Sequence, residues 1–130
     1  MSQILCKSGV RLKGITPALA WMFYVLDGFV RHSGAKYLPD ELVITSIYDG
    51  THLPTSRHYT GEAIDVRSKN FKTLEDKTKF RGELEDALNS HPAAVAQGLG
   101  DSFRVLIEDG GKDNEHFHVQ VRKGVKYPGV

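Results

Sequence analysis

An α+β domain with a small antiparallel sheet flanked by helices is what three features of this 130-residue chain predict. One apolar run between Ala18 and Val30 reads as a helix. A charged stretch from about Asn70 to His91 repeats its apolar residues at helical spacing. Short segments of β-branched or alternating residues lie between and beyond these runs, bounded by turn pairs such as Asp49-Gly50 and Asp109-Gly110. The length and the 40% hydrophobic content suit one core spanning residues 1–130, without room for a second module.

Taken in order, Thr16-Pro17 places an N-cap residue before a proline at the first helical position. The helix then runs through Trp21, Met22, Phe23 and Tyr24 to Phe29-Val30, where Ser33-Gly34 breaks it. Being apolar nearly all round, it is expected to be covered on most sides. Glu41 to Tyr48 is a strand that feeds a loop over Thr51 to Thr60. Ala63 to Arg67 is a short strand whose alternation puts Ala63, Asp65 and Arg67 on one face.

Over the stretch from Asn70 to His91, charges alternate in sign while Phe80, Leu84, Ala87 and Leu88 form one stripe, so a surface helix is predicted, ended by Pro92. Phe103 to Glu108 is a strand, Asp109-Gly110-Gly111 turns it, and His116 to Arg122 is its hairpin partner. Alternation along that partner sends Phe117, Val119 and Val121 to the core, with His116, His118 and Gln120 on the opposite face. Internal repeats, low-complexity tracts and linkers are absent from the sequence.

A net charge of +1, with charges spread along the chain, excludes the electrostatic footprint of a nucleic-acid or anionic-membrane binder. Ala18 to Leu26 is about half the ~18 residues that a bilayer demands. Cys6 has no second cysteine to pair with, and the first residues lack the basic start and apolar stretch of an export signal. A monomer in the cytoplasm is the expectation.

The chemistry sits in two places. The segment from Thr55 to Arg67 carries His58, Gly61, Ala63 and Asp65, and Glu115-His116-Phe117-His118 answers it near the C-terminus. Gly61 permits a tight reversal, so Asp65 can return toward the loop that holds His58. Two imidazoles and a carboxylate, with no cysteine, suit one zinc ion with an open fourth position. His32, His52 and His91, lacking such company, read as ordinary structural histidines.

Ser56-x-His58-x-x-Gly61-x-Ala63-x-Asp65, followed by Glu115-x-x-His118 and His116-x-His118, resembles the LAS-type zinc peptidases. These comprise D-alanyl-D-alanine carboxypeptidases, VanX-like dipeptidases and phage endolysin peptidases, with the hedgehog domain as a related fold. The resemblance spans roughly Leu42 to Val121 and implies His58, Asp65 and His118 as zinc ligands. It further implies Glu115 as the general base that takes a proton from the attacking water, and His116 as a hydrogen-bond donor to the developing oxyanion. Ser56 and Arg57 would position substrate, the peptide stems of bacterial peptidoglycan, at a bond involving a D-amino acid.

The implied role is that of a phage or prophage lysis enzyme reaching the wall through a separate pore. One departure stands out: the family's arginine in a Tyr-Arg-Ser turn is missing, since Asp49 follows Tyr48. Arg57, Arg67 and His116 are the candidates to replace it. The alternative is a non-catalytic zinc domain of the same fold, serving as a partner-binding or phage structural module.

Overall fold

The computed structural model describes residues 3–10, 14–32, 37–47, 58, 61–96 and 98–122. Its elements are β1 (Gln3–Cys6), α1 (Pro17–His32), β2 (Glu41–Ser46), β3 (Ala63–Arg67), α2 (Leu74–Ser90), α3 (Pro92–Ala96), β4 (Phe103–Glu108) and β5 (His116–Val121). The strands form one five-stranded sheet in the order β1-β2-β3-β5-β4. Neighbours from β2 to β4 are antiparallel as expected, but β1 joins β2 in parallel. The sheet is therefore mixed, and the α+β class holds.

The parallel edge follows from α1, which connects β1 to β2 and so returns the chain in the same direction. Thr16 caps this helix: its Oγ1 accepts from Leu19 N–H at 3.1 Å. The helix is covered on one side only. Ala18, Leu19, Met22, Val25 and Leu26 are buried while Tyr24 is exposed, so the expectation of burial on most sides is corrected to an amphipathic stripe. Trp21 and Tyr24 stack on each other, and both meet the His91 ring edge-on.

Helix α2 begins where Thr73 Oγ1 accepts from Asp76 N–H at 3.0 Å, with Glu75 and Asp76 in the first turn complementing the helix dipole. Phe80, Leu84 and Leu88 face the sheet, fully buried. Phe80 packs against Phe29, Phe71 and Phe117, with ring centroids 5.9, 5.1 and 4.9 Å away. Pro92 both ends α2 and opens the short α3, where Ala93 N–H donates to His91 Nδ1.

On β3 and β5, Ile64, Val66, Phe117, Val119 and Val121 face this core. The other face carries Asp65 opposite His118 and Arg67 opposite His116. Among the described residues no helix is long and apolar enough to cross a membrane.

Candidate metal centre

His58 arrives at the polar face through three local devices. The β2–β3 register shifts from Ile44 opposite Val66 to Ser46 opposite Asp65, so β2 carries one extra residue there, a β-bulge. Beyond it the Ile47 carbonyl accepts a hydrogen bond from His58 Nδ1 at 2.7 Å. Gly61, at φ +70°, closes a turn through its N–H to the His58 carbonyl, a backbone region that disfavours a Cβ. Thr16 Oγ1 donates to the Gly61 carbonyl at 2.7 Å, tying the start of α1 to the same turn.

Three ligand atoms then converge. Asp65 Oδ1 lies 3.1 Å from His58 Nε2 and 2.9 Å from His118 Nδ1, and all three side chains are buried. Acceptors on the far side fix each ring. His58 Nδ1–H donates to Ile47 O, while His118 Nε2–H donates to Gln120 Oε1 at 2.7 Å. Gln120 is itself oriented by its Nε2–H donating to Val121 O. With those protons placed, each near nitrogen faces an anionic oxygen, a contact made favourable by a second proton on the ring or by a cation between them.

His116 follows the same pattern one step outward. Its Nδ1–H donates to Asn114 O at 2.7 Å, and its Nε2 lies 3.0 Å from Glu108 Oε1 and 3.7 Å from Asp65 Oδ2. Glu108 Oε1 is also 3.8 Å from His118 Nδ1. Two groups of three ligand atoms result, His58-Asp65-His118 and Glu108-His116-His118, each within 4.8 Å of one another.

The charges reflect this crowding. Burial pushes the Asp65 carboxyl up, but hydrogen bonds from His118 and His58 and the nearby imidazoles outweigh it and hold the group well below the usual carboxylate range. For His116 and His118 burial lowers the pKa. The Asn114 carbonyl and the Asp65 and Glu108 carboxylates more than reverse this for His116, as Asp65, Gln120 and Glu108 do for His118, so both titrate above the ordinary imidazole value.

A divalent ion fits the inner trio. Zinc bonds of ~2.0–2.1 Å in tetrahedral array set ligand atoms about 3.3 Å apart, a few tenths of an ångström wider than the observed contacts. The donors are neutral nitrogen and carboxylate oxygen, and each ring is held by an acceptor on its far side, as metal-bound histidines generally are.

The structure thus brings His58, Asp65 and His118 together and sets His116 beside them. Glu115 is placed elsewhere. Because His116 pairs in register with both Arg67 and Glu108, no bend carries the preceding residue around to the ligand face. Glu115 Oε1 accepts from Ser68 Oγ at 2.6 Å and Lys77 Nζ at 2.5 Å, and Oε2 from Gly111 N–H at 2.9 Å. Those bonds, with Gly111 the strongest contributor and then Lys77 and Ser68, push its carboxyl down to about 2.

Ser56 and Arg57 lie outside the described residues, as does the Tyr48-Asp49 departure. Glu108 is the carboxylate that sequence reading missed. The signal was its strand parity, since Arg104, Leu106 and Glu108 alternate with the core residues Phe103, Val105 and Ile107. Comparison with protein-family models, curated proteins and solved structures finds no match to this chain.

Proposed function

We propose that the chain is a zinc-dependent peptidase whose substrates are peptide stems of the bacterial cell wall, cut at a bond involving a D-amino acid. The observation that carries the reading is the inner trio, two imidazoles each held from the far side and aimed at one buried carboxylate oxygen. His58, Asp65 and His118 would hold the ion. When bound, zinc supplies a Lewis acid that polarises a carbonyl and lowers the pKa of water toward neutrality.

The chain's own residues supply the remaining roles. Glu108 shares the ligand face and has an exposed side, so it suits the task of taking the proton from water and passing it to the leaving amine. Glu115 suits it poorly, because its lone pairs already serve Ser68, Lys77 and Gly111 and its basicity is low. His116, held by Asn114 O, is oriented to donate from Nε2 once protonated. The wall-peptide substrate and the hedgehog-type fold rest on the motif resemblance, and the role of a phage lysis enzyme follows from them.

The engagement of Glu115 favours one other reading, a zinc-stabilised binding module without catalysis. Incubating zinc-loaded protein with purified peptidoglycan and identifying released fragments by mass spectrometry separates the two. Fragments from the parent that vanish with Glu108→Gln but persist with Glu115→Gln are the expected result. Absence of cleavage across several wall chemistries, with zinc bound one per chain, would establish the binding module.

A further inference from the structure

The inner trio poses a problem of access. Its His58 side chain is fully buried, with Asp65 and His118 10% and 9% exposed, so these residues offer an ion from solvent only a narrow approach. Beside it the exposure rises in steps, with the His116 side chain 21% exposed and that of Glu108 43% exposed. Glu108, His116 and His118 form a ligand group of their own, and its innermost atom, His118 Nδ1, also belongs to the buried trio.

We propose that Glu108, His116 and His118 form a second, outer position for a divalent cation, in which the ion is captured from solvent before it moves inward to His58 and Asp65. One nitrogen cannot bind two ions, so the two positions are alternatives for a single ion and not a dinuclear centre. The outer set offers two imidazole nitrogens and a carboxylate oxygen, the same donor chemistry as the inner one, and selects the same borderline ions. Asp65 links the two positions, with Oδ1 between the inner rings and Oδ2 3.7 Å from His116 Nε2. Transfer therefore exchanges ligands one at a time, with His118 retained throughout.

The inference rests on the trio holding a cation and is independent of peptide hydrolysis. It is tested with Co2+, whose visible absorption reports ligation, added to the chelator-stripped full chain in a stopped-flow instrument. The parent is expected to bind one Co2+ per chain. In Glu108→Gln and His116→Ala, uptake and release are both expected to slow by about tenfold while Kd changes less than about threefold, since an intermediate station alters rates and leaves the end state alone. His116→Ala leaves the carboxylates untouched, so its slowing separates ligation from attraction of the cation by the Glu108 charge.

An equilibrium arm uses His58→Ala, in which the ion is expected to remain at the outer position. Adding Glu108→Gln to that variant is expected to weaken Co2+ binding by about tenfold or more, the loss of a ligand. Should His58→Ala fail to fold, the kinetic comparison decides alone. Unchanged uptake rates in either outer variant, slowing confined to Glu108→Gln and abolished by salt, or a Kd that weakens as much as uptake slows would each overturn the outer position. Two Co2+ per chain would overturn the claim that the positions are alternatives sharing His118, and a parent that binds none would overturn both positions, whatever the protein's activity on peptides.

Discussion

Asp65 Oδ1 meets two imidazoles whose other nitrogens are committed to Ile47 O and Gln120 Oε1, so either protons or a metal must occupy the space between. This fixes how the metal-free protein responds to pH. The His116 and His118 pKa values are raised above 6.5, so their contribution is complete below about 6.5 and lost as pH rises through the folded values. Asp65 is depressed from 3.8, so its contribution is present above that value and lost as pH falls. In chelator, Tm is expected to drop as pH rises above about 6.5, whereas with saturating zinc it should hold, since metal replaces the protons. A chelated protein that grows more stable over that interval would contradict the ring assignments. Asp65→Ala should cost about 3 kcal/mol in denaturant titration, because it leaves buried imidazoles without their counter-charge, and should remove the zinc-dependent gain in Tm. The inner trio was legible because His58, Gly61, Ala63 and Asp65 lie within one short motif and His118 within a second, Glu115 to His118. Glu108 was not, because pairing it with His116 depends on the register across a loop that local sequence leaves undetermined.

Between β4 and β5, that loop is secured by Glu115, which takes Gly111 N–H within the turn and reaches Ser68 after β3 and Lys77 on α2. The residue marked by its motif as a base thus acts in this structure as a clamp joining a turn, a strand end and a helix. Glu115→Gln should destabilise by about 1.5–3 kcal/mol at neutral pH, the range for hydrogen bonds to charged groups. Its carboxyl falls from 4.5 to about 2, so the clamp operates above about pH 4.5 and fades as pH falls through about 2. The gap in unfolding free energy between parent and variant should therefore close across that window, and a gap that persists at the acid end would mean packing and not charge is at stake. At α1, Thr16→Ala removes both the N-cap and the bond to Gly61 O, and should cost about 1–2 kcal/mol, with Thr16→Ser recovering most of it. Thr16-Pro17 announced this cap in the sequence. Gln3–Cys6 gave no such sign, since this four-residue edge strand has no alternation and its apolar run, Ile4-Leu5-Cys6, is too short to mark a strand. The five-residue α3 was likewise too short to show a period.

Across the whole molecule, the centre ties together segments that are distant in sequence, since His58 precedes β3, Asp65 lies on β3 and His118 on β5. The opposite face of the same two strands packs on Phe80 through Phe117, so the candidate metal centre and the core share the strands between them. The sequence periods assigned those faces correctly, but strand order across the sheet required long-range pairing that no local pattern encodes. Sharing of strands would make binding of an ion at this centre a folding term: at about a hundredfold above its Kd it would add about 2.7 kcal/mol. Phe80→Ala should remove about 3–5 kcal/mol from a total stability of about 5–15 kcal/mol. In chelator this variant should therefore populate the unfolded chain far more than the parent, and zinc should restore much of the loss. Trp21 fluorescence and circular dichroism, followed while zinc is titrated into Phe80→Ala at fixed temperature, are expected to recover together at one zinc per chain. If zinc binds at that stoichiometry while neither signal moves, the ion stabilises only the turn around His58, and the two faces of the sheet are energetically separate.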